Sequence, residues 1–466
     1  MGTMSYNFLP YDQDQLYLMA PSIQEWVGEE SLARFVSEVV DYFDRAGKLR
    51  AFYARRRADG WGRGAYHPVM MVKVVLYGYS VGVRSSRKLA QALEDSVGFR
   101  YLAANQQPDF RTIAEFRKEH LEELGGLFEE VLELCQEAGL VGLGRVALDG
   151  RRVKGNAALE RSRRRRQIEA EVKAILAEAE RLDAEEDARY GADRRGDELP
   201  EGLRTREERL KRLKQAQARL EAREAEAREA QAEKLRRREE EERKTGRRKR
   251  GRKPKRAEAV AERVRERATT NLTDPDSRIL KTRRGYVQGY NGQAMVDCGS
   301  QVIVAQGLTQ EEVDFRQLDV MLERCEAQAG KKPKQCLADA GYWSEENARL
   351  EDEETELFIA TTKEFKQRQA LREQGPPRGR VPKALTLTGR MERKLRTKRG
   401  QKIYRERAMT VEPVFGQMEG RGLNHFLLRG VEKVKMEWSL FCTTHDLLKL
   451  WRSGWRPGLT GAPSAG

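Results

Sequence analysis

Arg145-Val-Ala-Leu-Asp149-Gly150 and Cys336-Leu-Ala-Asp339-Ala-Gly-Tyr342 decide how this chain is read. Each is a short apolar run that ends on an aspartate, with a glycine one or two residues later. Such runs, bounded by turn residues, read as buried strands. An aspartate at the tip of a buried strand sets a carboxylate at the edge of a core, where it can meet a cation. Taken alone, Asp149-Gly150 is also an ordinary turn pair and Asp339-Ala-Gly an ordinary strand end. The surroundings must therefore carry the reading.

Between 286 and 310 the apolar period is that of strands. Tyr286 to Asp297 and Gln301 to Gln306 flank Cys298-Gly-Ser, which predicts a hairpin. A helix from Asp314 to Ala329 follows, then the strand ending at Asp339, a short helix from Ser344 and the strand Leu357-Phe-Ile-Ala-Thr361. Residues 365–400, polar and bearing Pro and Gly, read as an exposed loop. In Thr410-Val-Glu412-Pro-Val-Phe-Gly416, Thr410 reads as a cap and Glu412 as a first-turn acid, where any carboxylate also suits the helix dipole. Strand, hairpin, helix, strand, helix, strand is an α/β order.

Residues 1–144 read as all-α. Leu32, Phe35, Val36, Val39, Val40 and Phe43 recur at helical spacing, and Pro68 suits a first turn. Ser85-Ser86 caps a short helix, and Thr112-Ile-Ala-Glu115 reads as a capping box before one long helix ending near Gly139. Arg84, Arg87, Lys88, Arg111 and Arg117 on short helices fit a helix-turn-helix-like DNA-binding unit. They fit equally well a helical packing or dimerisation domain whose arginines face water.

Composition changes abruptly over 157–268. Arginines fill most of 161–166, and Ile168, Val172, Ile175, Ala179 and Leu182 then step at helical spacing. Gly191 to Gly202 reads as a turn, and Leu210, Leu213 and Leu220 begin a second helix. This predicts an antiparallel coiled-coil hairpin inserted in a domain, with a solvated distal half. The basic run Arg243 to Arg256 closes it, either as a solvated segment or as a track for phosphates.

The chain has 466 residues, of which 35% are charged, and a net charge of +15. That length allows two or three domains, and the charge favours a polyanionic partner. Its five cysteines stand singly, which argues against a zinc ribbon or a disulfide framework. The longest apolar stretch, Met70 to Val83, carries Lys73 and is too short for a bilayer, so a soluble intracellular protein without a membrane partner is expected. The four histidines form no metal pair, no tyrosine follows Tyr404, and no phosphate-loop signature occurs. A tyrosine recombinase, ATP use and a bound organic cofactor are therefore not expected. Well-separated acids converging at one sheet edge suit metal-assisted phosphoryl transfer instead.

Taken together, Val146 to Gly150, Asn271-Leu-Thr-Asp-Pro-Asp-Ser277, Gly289-Tyr-Asn-Gly-Gln293, Ala338 to Tyr342, Val411 to Gly416, Leu428-Arg429-Gly430 and Glu437-Trp438-Ser-Leu440 resemble the DDE-type transposases of bacterial insertion sequences. Pro108-Asp-Phe-Arg-Thr-Ile113 and Phe116-Arg117 resemble the helical domain of that family. The resemblance implies an α/β ribonuclease H-like catalytic domain over 145–452, an all-α N-terminal domain, the long helical insertion at 157–268 and a tail at 453–466. It implies that Asp149, Asp339 and Glu412 hold two Mg²⁺ ions, with Mn²⁺ able to replace them. The activity implied is cleavage of double-stranded DNA at the element's terminal inverted repeats and strand transfer into target DNA. A homo-oligomer assembled on DNA, in the nucleoid-associated cytoplasm of a bacterium, goes with it. Tyr404, Arg407, Arg421 and Arg429 are the expected DNA contacts. Two departures stand out: the gap from Tyr404-x-x-Arg407 to Glu412 is one residue longer than in the family's usual signature, and Glu419 stands where the family carries a base. Glu419 is expected to repel DNA or alter metal binding, with Arg421 as the compensating charge. The alternatives are a metal-dependent nuclease without strand transfer, or a decayed transposase that only binds DNA or assembles.

Overall fold

The computed structural model describes residues 22–54, 65–190, 201–246, 248, 254–282, 285–362, 366, 369, 373, 375–382 and 384–458. These form two compact units, one of residues 22–124 and 447–458 and the other of residues 125–446. Among them no helix is long and apolar enough to cross a membrane.

The first unit is helical. In α1 (Leu32–Arg45), Ser31 caps the start and Phe35, Val36, Val39, Val40 and Phe43 are buried, as their spacing predicts. Pro68 opens α2 (Pro68–Val81), which stops at Gly82 with φ 84°, a left-handed stop that glycine takes without strain. Ser85 caps α3 (Ser86–Asp95), and the short α4 (Val97–Leu102) follows. The expected capping box is replaced. Asp109 caps α5 (Phe110–Glu119) by accepting from Arg111 N at 2.8 Å and Thr112 N at 3.3 Å, so Thr112 lies inside the helix. The one long helix is two, because buried His120 leaves helical geometry between α5 and α6 (Leu121–Glu137). Of the five basic residues, two turn inward. Arg84 is buried, and Arg117 donates to Arg84 O and the Tyr79 hydroxyl, both at 2.8 Å. Arg87, Lys88 and Arg111 stay exposed.

In the second unit β1 (Val146–Lys154) leads through β2 (Ser162–Arg164) into α7 (Arg165–Tyr190), α8 (Glu201–Thr245) and α9 (Ala257–Arg267), and β3 (Thr269–Asn271) returns. β2 and β3 pair antiparallel as a neck. Ile168 packs with Leu213, Ala216 and Leu220, flanked by Val172 and Ile175, which bears out the apolar seam between two helices. Of the turn expected from Gly191 to Gly202, residues 191–200 lie outside the described residues, and Glu201 and Gly202 already belong to α8. The outer part of α8 does not stand alone: α9 lies against it, with Ala261 buried and Gln231 donating to Lys255 O at 2.6 Å. The α9 stretch is mostly charged, so its alanine seam gave little apolar signal.

The core is a six-stranded mixed sheet. β5 (Gly285–Asp297) runs antiparallel beside β1, and its other edge carries β4 (Arg278–Thr282) near its start and β6 (Ile303–Thr309) near its end. α10 (Gln317–Ala329) then returns the chain to β7 (Gln335–Ala338), parallel to β1. α11 (Glu345–Ala348) precedes β8 (Glu356–Ile359), which is parallel to β7. The hairpin and the strand ending before Asp339 are as predicted. Asp149, however, is not at a strand tip. β1 continues to Lys154 because β5 keeps pairing with it, down to Lys154 opposite Gly289. A Cβ at Gly289 would lie 2.0 Å from the Val153 carbonyl, so the strands approach this closely only with glycine there.

Residues 365–400 are not loop throughout. Thr386 caps α12 (Leu387–Arg396), which buries Met391 and Leu395, and Thr397 caps α13 (Lys398–Gly420). Two apolar anchors four residues apart suffice for α12, and the basic residues around them masked it. α13 also corrects the expected helix start at Thr410. Glu412 and Pro413 lie well inside it, and the Thr410 hydroxyl donates to Glu406 O at 2.8 Å. α14 (Val431–Arg452) ends the described fold, with Trp438 buried over Gly292.

Candidate active site

The register places the two aspartates together. Leu148 pairs with Ala338 across the parallel β1–β7 ladder, so Asp149 and Asp339 occupy the next rung. Asp339 has just left β7 and caps the turn Ala340–Tyr342, accepting from Gly341 N at 2.7 Å. Asp149 stays in β1 and accepts from Gly150 N at 2.8 Å and from Arg407 Nη1 at 3.0 Å. Burial pushes the Asp149 carboxyl up to about 6; Arg407 pulls it down, and the neighbouring Asp339 pushes it further up.

The α13 helix lies along the face of β1 from which Asp149 projects. Glu406 pairs with Arg145 just before β1, and Arg407 and Glu419 pair with Asp149 and Arg151, alternate residues of β1. The Tyr404 hydroxyl donates to Ala338 O at 3.3 Å, tying α13 to the end of β7. Tyr404 and Arg407 are thus at the acid pair, as the sequence suggested, but both are held by protein groups. Glu412 is exposed on α13, one seven-residue step before Glu419 and so on much the same helix face. Among the described residues no group of three or more His, Cys, Asp and Glu side chains is placed to hold a metal ion. The structure therefore brings together Asp149 and Asp339, and leaves Glu412 in solvent.

The ion pair to Glu419 comes from Arg151 on β1. The Arg421 guanidinium is partly buried close to the Cys442 thiol, which burial raises well above its usual value and Arg421 pulls back. Arg429 is exposed, and its Nε donates to Asn156 O at 2.9 Å. Its loop is fixed from below by buried Glu437, which accepts from Leu427 N and Leu428 N at 2.9 Å.

Behind Asp149 and close to Asp339 lies a polar cluster that the sequence reading missed. Asp314 accepts from Asn291 Nδ2 at 2.7 Å and Gln293 Nε2 at 3.1 Å, and Arg152 Nη2 stands 3.4 Å away. The Tyr342 hydroxyl donates to Gln293 Oε1. A Cβ at Gly150 would come within 2.9 Å of Asp314 Oδ1, and one at Gly341 within 3.2 Å of Asp314 Oδ2. Asp314 is thus wedged between the glycines that follow the two aspartates. The signal was present: Asn291 and Gln293 are polar residues on the inward phase of an otherwise apolar strand, and both are fully buried.

The pair offers only oxygen donors, partly buried and mutually repelling. That chemistry fits a hard divalent cation, which is commonly held by one or two carboxylates together with water and substrate phosphate.

A family described as "Transposase domain (DUF772)" matches residues 21–119, and one described as "Transposase DDE domain" matches residues 379–451. The second match spans Tyr404, Arg407, Glu412, Arg421 and Arg429; Asp149 and Asp339 lie outside both. No curated protein and no solved structure matches the chain. A helical transposase domain towards one end and a DDE domain towards the other give the chain the domain architecture of a DDE-type transposase, typical of insertion sequences.

Proposed function

We propose that the 125–446 unit is a ribonuclease H-like catalytic domain that cleaves double-stranded DNA at the ends of its own element and joins the freed 3′ hydroxyl to target DNA. The placement of Asp149 beside Asp339 on adjacent parallel strands is the observation that carries this reading. When bound, two Mg²⁺ ions, or Mn²⁺ in their place, would activate the attacking oxygen and stabilise the leaving one. Asp149 and Asp339 would hold them, with Glu412, exposed on α13, as the third acid only if the helix brings it to the pair. Arg407 keeps Asp149 aimed along the α13 face and favours its ionised form. Tyr404 fixes the distance between α13 and the end of β7. Arg429 reaches DNA from its exposed loop, whereas the partly buried Arg421 acts from beneath. The chain works as a homo-oligomer on paired DNA ends, in the bacterial cytoplasm.

Asp149→Asn and Asp339→Asn should each abolish cleavage of a duplex carrying the element ends while leaving its binding within about twofold of wild type. Cleavage that survives in both variants overturns the reading. One observation favours a second reading, a DNA-binding assembly protein that no longer cuts: the described acids form no three-carboxylate set. Calorimetric titration with Mn²⁺ separates the two. Binding that is lost in Asp149→Asn supports the nuclease, and no binding to wild type supports the second.

A further inference from the structure

One ion pair beside the acids bears on how DNA lies across them. Arg151 stands two residues past Asp149 on β1, and its guanidinium meets the Glu419 carboxylate in the last turn of α13. Alternate residues of a strand project from the same face, so Arg151 leaves the sheet on the side of Asp149, about 6.7 Å further along. That offset is close to one nucleotide step of a DNA backbone. Its neighbour Arg152 cannot serve the same face, since it turns to the rear and donates to Glu312 O at 2.7 Å. On the Asp149 side, Arg407 is taken up by Asp149 and Arg145 by Glu406.

The Arg151 side chain is 48% exposed and that of Glu419 34%. An ion pair so open to water contributes only about 0.2–1 kcal/mol, so it orients the guanidinium without locking it. A phosphodiester offers the same planar, bidentate match to arginine as a carboxylate does. A strand whose scissile phosphate lies at Asp149 would bring its next phosphate over Arg151.

We infer that Arg151 contacts the DNA backbone one nucleotide from the bond to be cut, and that Glu419 is the counter-ion it exchanges for that phosphate. This rests on the proposed placement of the scissile phosphate at Asp149. The chain thus carries its cation on β1 and an acid on α13.

The test uses the full chain and a short fluorescein-labelled duplex of mixed sequence, with affinity measured across a salt series. Arg151→Gln should weaken binding and lower the slope of log affinity against log salt by about one ion. Arg151→Lys should restore that slope. Glu419→Gln should tighten binding by about two- to fivefold, and this gain should vanish in the Arg151→Gln/Glu419→Gln double variant. An unchanged slope in Arg151→Gln, or an equal gain from Glu419→Gln in both backgrounds, overturns the inference: the pair then only straps α13 to β1. Should Arg151→Gln not fold, Arg151→Met, which keeps the aliphatic stem and removes the charge, decides on the same slope: a loss of about one ion supports the contact and an unchanged slope overturns it. Loss of cleavage in Asp149→Asn with an unchanged Arg151→Gln slope rejects this inference and spares the site. Intact cleavage in both Asp149→Asn and Asp339→Asn rejects the site and this inference with it.

Discussion

Asp149 is a carboxyl raised to about 6 by its burial, and that has consequences for pH. Its folded value lies above its unfolded one, so the folded chain holds the proton longer. The stability this confers is complete below the ordinary carboxyl range and is lost as pH rises through about 6. Between pH 4 and 8, metal-free wild type should lose about 3 kcal/mol relative to Asp149→Asn, measurable as diverging urea midpoints. A flat difference across that range would show that burial does not disfavour the charge. Arg407→Gln removes the cation that opposes burial, so the midpoint of that divergence should move to higher pH. On the proposed function a divalent cation favours the ionised Asp149, so Mn²⁺ should shift the midpoint of that divergence to lower pH. At this scale the two aspartates were legible, because each follows an apolar run and precedes a glycine. Asp314 was not, since its partners Asn291 and Gln293 come from a strand that only tertiary pairing brings to it.

Among elements, β5 and α13 carry the site, and glycines show how tightly the first is held. Gly289→Ala would drive a methyl into the Val153 carbonyl and should cost about 3 kcal/mol in a denaturant melt, by forcing β1 and β5 apart. Gly416→Ala on the exposed side of α13 meets nothing and should stabilise by about 0.5–1 kcal/mol. If both variants shift in the same direction, the packing described for β5 is wrong. The strand period of 286–306 was readable because one side of each strand meets the core. The start of α13 was misplaced because Thr410 before Glu412-Pro413 imitates a cap, while the working cap, Thr397, sits in a basic run. Proline is tolerated inside α13 because its neighbours Val411 and Val414 are buried and hold the helix to the sheet. α12 was hidden in the same polar stretch, since only Met391 and Leu395 anchor it.

For the whole molecule, the insertion is joined to the sheet through few residues. The β2–β3 neck pairs Ser162 with Asn271 and Arg164 with Thr269. Beyond the neck, Asn271 to Ser277 belongs to the core: Asp274 accepts from the Tyr290 hydroxyl and from Gly430 N, and Asp276 accepts from Val431 N, where α14 begins. The sequence marked the change of composition at 157 and 268 but could not reveal that Arg161 and Leu272 are already bonded to each other. Replacing residues 166–267 by a short glycine-rich turn should leave the thermal melt of the sheet within a few degrees of wild type. Extending the deletion to residue 277 should remove the Asp274 and Asp276 anchors of the start of α14 and leave the protein insoluble. Equal losses from both deletions would mean that the insertion itself holds the sheet together. The neck therefore marks a natural splice point: if the shorter deletion folds, a segment of another length or sequence can be grafted there while the sheet beneath keeps its own pairing.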